Sequence, residues 1–261
     1  MMLWNVDEGL LFLAAIIAFI AAIEIAFRLG RRHSPKSDDV LRSHVGGLQA
    51  ALLGLLALLL GFNFAMAVAR FDARKVLLQE EVSAINTTYL RAQLLAPRER
   101  EEVTGLLKTY VDTRVDFMNA VVDNARIDTA IAASVRIETQ LWGIAGRLVE
   151  QGASAVSTGL FIQSVNEMIN VNEKRRAALD NHVPETVLQL LCVVALVALG
   201  FIAYAYGLSG RPRHGSILIF AVLISVVLTI IIDLDRPRRG LIRVSDEGMV
   251  RLQETLERHG P

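Results

Sequence analysis

The apolar residues of this chain are gathered into four blocks, and that grouping limits the fold more than any other feature. Runs of Leu, Ile, Val and Ala occupy about 9–29, 45–69, 184–208 and 216–232, each close to the roughly 20 residues a helix needs to cross a hydrocarbon core. Lipid offers no partner for backbone N–H and C=O groups, so each block has to satisfy them internally, as a helix does. No strand-like alternation bounded by hairpin turns appears in the sequence. The expected fold is an all-α membrane protein with four transmembrane helices in a two-plus-two arrangement. A long helical extramembrane bundle is expected between the second and third helices.

The chain then divides into a first helix pair (1–69), the bundle (70–183), a second helix pair (184–232) and a C-terminal tail packed on the bundle (233–261). The first block is read as a retained helix. Acid rather than Lys or Arg precedes it, and its apolar stretch is too long for a signal peptide. Glu24 and Arg28 are spaced for a helical ion pair. GLSGRPRHG (207–215) is a short turn that makes the third and fourth spans an antiparallel hairpin.

The second block runs on into Arg70, Asp72, Arg74 and Lys75 without a proline. A continuous helix over 45–95 would reach roughly 75 Å, far beyond a hydrocarbon core of about 30 Å. Pro97 then stops the chain and restarts a helix with acid in its first turn. Val103, Leu107, Tyr110, Arg114, Phe117 and Val121 follow at three and four spacing, a stripe with one charged interruption. A further helix near 128–151 carries Ile131, Val135, Leu141, Trp142 and Leu148 as its apolar set. Glu80–Glu81 and Glu101–Glu102 read as solvated helix faces. Asn166, Glu167, Asn170, Arg175 and Arg176 read as a polar face suited to subunit contacts.

At about 100° per residue the second span sorts into two faces. Ala50, Gly54, Ala57, Gly61 and Ala65 form a small-residue ridge of the kind that lets helices pack closely in lipid. Leu56, Leu60, Asn63, Phe64, Ala67, Phe71 and Arg74 form the other face, apolar but holding an amide and ending in a cation. A buried unpaired amide costs a few kcal/mol in hydrocarbon. Asn63 therefore needs either a hydrogen bond within its own subunit or a wet passage ringed by copies of this helix. In the second arrangement the apolar residues form a neck, and basic residues at its mouth favour anions.

Equal numbers of basic and acidic residues, 27 of each, leave no excess for nucleic acid. The single cysteine, Cys192, excludes an intrachain disulfide and any CxxC metal or redox motif. No metal-binding HExxH, phosphate-cradling glycine loop or nucleophile elbow occurs, so neither an enzyme nor a cofactor is expected.

GLLALLLGFNFAMAVARFDARKVLLQEEVSAINTTYLRAQLL (54–95), SVNEMINVNEKRRAALDNHVPETV (164–187) and IDLDRPRRGLIRVS (232–245) resemble the bestrophin-like family of bacterial membrane proteins. That family is distantly similar to bestrophins, pentameric anion channels whose second helix lines the pore and whose middle segment is cytosolic. The resemblance implies a homo-oligomer, favouring a pentamer, embedded in membrane lipid and passing small anions such as chloride. Leu60, Phe64 and Val68 match the bulky bestrophin neck only loosely. Asp233, Asp235, Asp246 and Glu247 are interrupted by arginines, unlike the calcium-binding acidic cluster, so calcium gating is not implied.

In the tail, Asp233, Asp235 and Arg236 at the end of the fourth span suggest a salt-bridged clasp, with Pro237 and Gly240 turning the chain back. An ion site is the alternative. The first connecting loop (Arg28, Arg31, Arg32, Lys36, Arg42), with Arg211 and Arg213, competes with the basic residues flanking the bundle and following the fourth span. The larger second group agrees with the bestrophin-like layout in placing the bundle and both termini in the cytosol, and the resemblance implies a bacterial inner-membrane protein. The functional expectation is an oligomeric, anion-conducting channel. A non-conducting scaffold or sensor whose bundle binds a protein partner is the alternative.

Overall fold

The computed structural model describes residues 7–34, 39–120, 124–209, 214–237 and 240–259. Lys36, Val121, Arg211, Arg213, Arg238 and Arg239, which carry sequence-based expectations, lie outside them, as does the side chain of Arg42.

Every regular element among the described residues is a helix. In order they are α1 (Glu8–His33), α2 (Asp39–Ala92), α3 (Pro97–Asn119), α4 (Asn124–Glu150), α5 (Ala155–Asp180), α6 (Glu185–Leu208), α7 (His214–Asp235) and α8 (Glu247–His259). Four helices are long and apolar enough to cross a membrane, two before and two after the intervening bundle helices. The fold is all-α, as the four blocks require. α2 is one unbroken helix of 54 residues, roughly 81 Å long at 1.5 Å per residue.

Local chemistry sets the helix ends. Asp7 caps α1 by accepting a bond from Gly9 N at 2.8 Å. After Ala92 the chain tightens through bonds from the Gln93, Leu94 and Leu95 amides to carbonyls three residues back. Pro97 then opens α3 at the first helical position. The α4–α5 turn closes with Gly152 at φ +66, its N–H on Val149 O and the Ala153 N–H on Leu148 O. That pair of bonds is a Schellman motif, which favours glycine at its left-handed position.

Two compact units result. One comprises residues 1–69, 182–236 and 240–242, the other 70–181, 237–239 and 243–261. In the first, α1 packs on α6 and α7, with Phe19, Leu191, Leu199 and Ile231 fully buried. Gly30 and Gly207 bring the α1 and α6 backbones together. A Cβ on Gly30 would fall 2.3 Å from Tyr204 O, and one on Gly207 would fall 2.4 Å from Phe27 O. Glu24 and Arg28 form the expected surface pair at 2.6 Å. Large apolar side chains such as Leu10, Leu13 and Ile17 stay open, as lipid-facing positions do.

The second unit is a helical bundle around Ile85, Leu107, Tyr110, Leu141, Ile144, Phe161 and Met168. Met249, Leu252 and Leu256 of α8 enter the same core, and Gln253 Nε2 bonds Asp112 Oδ1 of α3 at 2.6 Å. The expected α3 stripe is buried at Val103, Leu107, Tyr110, Arg114 and Phe117. The α4 reading needs correction. Leu141 and Leu148 are core, but Val135 and Trp142 are exposed, and Ile137 and Ile144 take the inner positions instead. The true stripe is rotated by about one residue, because Ser134 and Glu138 hold inward places that apolarity alone does not mark.

Candidate pore helix and its buried anchor

α2 is buried along one line, through Leu56, Asn63, Ala67, Arg74, Leu78, Glu81, Ile85 and Thr88. This spacing keeps one strip of a helix turned inward. The expected passage face is thereby divided. Leu56, Asn63, Ala67 and Arg74 are covered by their own chain, while Phe64 is 42% exposed and Leu60 and Phe71 are half-buried beside them. Asn63 Nδ2 donates to Leu59 O one turn back at 2.8 Å, and its buried Oδ1 has no partner. The amide is therefore satisfied on one side only, by its own helix.

The small-residue ridge has no cover within the protomer. Ala50, Gly54, Ala57, Gly61 and Ala65 are exposed, and a Cβ on Gly54 or Gly61 would meet nothing within 4 Å. Close backbone packing within the protomer occurs at Gly30 and Gly207 instead. The sequence signal for it was available in the small residues Ala26, Gly30, Gly200, Ala203 and Gly207 at three and four spacing.

Further along α2, in the bundle, Glu81 is fully buried between two cations. Its Oε1 lies 2.7 Å from Arg114 Nε, and its Oε2 accepts from Arg175 Nη1. The Arg114 contact is close but off the line of a hydrogen bond, so charge attraction rather than a directed bond joins that pair. Arg114 is 0% exposed, its terminal nitrogens take no hydrogen bond, and the Phe117 ring lies 4.8 Å from its Cζ. That geometry suits a cation–π contact. Glu81 and Arg175 are thus not members of solvated faces, as their neighbours Glu80 and Glu167 are. The charged interruption at Arg114 in an otherwise apolar stripe was the signal for this cluster.

Beside it, Glu138 Oε1 accepts from Tyr110 Oη at 2.9 Å and from Asn172 Nδ2 at 2.7 Å. Burial pushes the Glu138 carboxyl above its ordinary range, opposed by those two hydrogen bonds and by Arg114. A separate cavity of about 140 Å³ is bounded by Arg74, Arg175, Arg243 and Asp246. Burial raises the Asp246 carboxyl as well, against the pull of Arg175 and Arg243.

The helix end after the fourth span is tied by backbone amides. Asp233 accepts from the Leu241 and Ile242 N–H groups, both at 3.0 Å, across a bend in which Gly240 takes φ +118. Asp235 Oδ2 accepts from Val183 N at 2.8 Å and lies 3.6 Å from His182 Nδ1, while Arg236 is buried. Asp233 thus ties the bend through two charge-assisted bonds to N–H groups.

A Bestrophin-like domain matches residues 15–249, nearly the whole chain. The chain belongs to the Bestrophin-like family. No curated protein matches it. Among solved structures, a bacterial bestrophin homologue from Klebsiella pneumoniae superposes with a TM-score of 0.64 at 18% identity, covering 97% of this chain and 96% of that one. Two point variants of that homologue give TM-scores of 0.67 and 0.66 at 16% identity, covering 95% and 94% of this chain and 97% and 95% of theirs. The Bestrophin-like chain thus shares the bestrophin fold over almost its full length.

Proposed function

We propose that this Bestrophin-like protein is an oligomeric, anion-conducting channel of the bacterial inner membrane, with copies of α2 surrounding a central passage. The observation that carries the reading is the open side of α2. In a helix otherwise built into the chain, the ridge of Ala57, Gly61 and Ala65 and the adjoining Phe64 have no cover from the protomer. Neighbouring copies supply that cover. Leu60, Phe64 and Phe71 fall on one strip beside the ridge and form the apolar neck, a constriction that gates by dewetting. Asn63 stands behind this strip as a structural amide. The three arginines at the 140 Å³ cavity support a preference for anions, chloride among them. The family likeness supports a pentamer with bundle and termini in the cytosol.

Reconstitution tests this reading. Purified protein in liposomes is expected to pass halide, and Phe64→Ala to raise the flux by widening the neck. Silent vesicles together with a monomeric particle in detergent would overturn it. One observation favours the second reading, a non-conducting scaffold or sensor binding a protein partner. Asn63 bonds within its own helix and is buried by its own chain, so it offers nothing to a passing ion. A dry, closely packed central axis in a projection map would decide for the scaffold.

A further inference from the structure

We propose that the groove between α4 and α5 is a binding site for a donor-bearing organic cation, a primary ammonium or guanidinium group, independent of any ion conduction along α2. The groove is a cavity of about 390 Å³ whose lining includes Glu138, Trp142, Asn166, Asn172, Glu173 and Arg176. Asn172 and Glu138 in its lining carry acceptor oxygens that no donor fills. Asn172 is 2% exposed, and its Oδ1 is buried with no hydrogen-bond partner. The orientation of this amide is fixed chemically, because its Nδ2 donates to Glu138 Oε1 at 2.7 Å. Glu138 is 7% exposed and takes both its bonds on Oε1, leaving Oε2 without a partner among the described residues.

A buried acceptor left unpaired costs free energy that a donor recovers. Asn172 Oδ1, together with the free oxygen of the Glu138 carboxylate in the lining of the same groove, is complementary to an N–H-bearing cation. Trp142 adds an indole that is 46% exposed at the groove, and an open aromatic face attracts ammonium and guanidinium groups. The charge of the named lining residues agrees. Glu138 and Glu173 outweigh Arg176, which stands at the same groove and sets the orientation of the guest by repelling its cationic end. Burial alone drives Glu138 toward its neutral form, and a bound cation supplies the charge that reverses this. The cation comes from a free small amine or from a Lys or Arg of a second copy.

Trp142 reports on the site directly. The chain has two tryptophans, so Trp4→Phe leaves Trp142 as the single emitter in the full-length protein in detergent. Titration with n-butylammonium or guanidinium at constant ionic strength is expected to shift its emission saturably. Sodium, and tetramethylammonium, which has no N–H, should not. Glu138→Gln in the same background weakens the response by about tenfold or more, the loss of a charge-assisted bond. Should that variant fold poorly, Glu173→Gln, at an exposed position in the lining of the same groove, is expected to weaken the response by a smaller factor. Particle mass is followed in parallel. A saturable shift at unchanged mass assigns the site to free amines, and a shift with falling mass assigns it to a second copy's side chain. The proposal is overturned by a linear or absent response with no change in mass, or by equal binding in wild type and Glu138→Gln.

Discussion

In the apolar middle of the membrane spans, uncharged polar side chains turn back on their own helix. Asn63 bonds Leu59 O, Ser225 bonds Ala221 O and Thr229 bonds Ser225 O, each one turn away. In the bundle Thr88, Ser134 and Ser164 do the same, but the buried charged groups find their partners on other helices. Glu81 of α2 holds Arg114 of α3 and Arg175 of α5, while Tyr110 of α3 and Asn172 of α5 meet on Glu138 of α4. The contrast follows from what each surrounding supplies. A span surrounded by apolar neighbours has its own carbonyls as the dependable acceptors, so polarity there costs little and specifies little. A water-assembled bundle can bury charge only if opposite charges arrive together, and that requirement fixes which helices sit side by side.

The largest test removes one partner of the buried ion cluster. Glu81→Gln strands Arg114 and Arg175 and is expected to cost about 3–5 kcal/mol, read as a large drop in thermal unfolding temperature in detergent. Ser225→Ala, which removes a local bond in a span, is expected to cost about 1 kcal/mol or less. Equal losses would erase the distinction between the two regions.

A smaller effect separates close packing inside the protomer from the open ridge. Gly207→Ala places a methyl 2.4 Å from Phe27 O and is expected to cost about 1–3 kcal/mol of overpacking. Gly61→Ala meets nothing within 4 Å in the protomer and should leave the monomer unharmed or slightly more stable, since alanine is the better helix former. If particle mass changes in Gly61→Ala while protomer stability holds, the ridge lies between copies.

The smallest expected effect is a pH dependence. Because Glu138 is raised in the folded bundle, chiefly by burial, the unfolded chain releases this proton first as pH rises. The contribution of Glu138 is therefore most favourable below the ordinary carboxylate range and declines as pH climbs through the raised value. Glu138→Gln should flatten that part of the stability profile. A residual slope of the same sign remains from Asp246, which burial also raises. A slope unchanged by Glu138→Gln would mean that the carboxyl titrates alike in the folded and unfolded chain and that burial does not raise it.

Much of the molecule was legible before folding because it depends on composition along the chain. Span number and the unbroken second helix follow from block length, and the restart at Pro97 follows from a fixed φ. The α4 stripe was misplaced because Ser134 and Glu138 face inward, and an apolar count is blind to polar residues whose partners lie on other helices. The same blindness assigned Glu81 to solvent, since a carboxylate in a QEEV run looks identical whether or not two arginines are waiting for it.

The sequence by itself determined that this chain spans a membrane with helices and carries a long helical bundle between two pairs of them, because transfer from water to lipid acts residue by residue. Only the tertiary structure decided which side of α2 is covered, that Gly30 meets Gly207, and that Glu81 lies between Arg114 and Arg175. Those facts depend on groups distant in sequence arriving within a few ångströms of one another, and no local preference encodes that meeting.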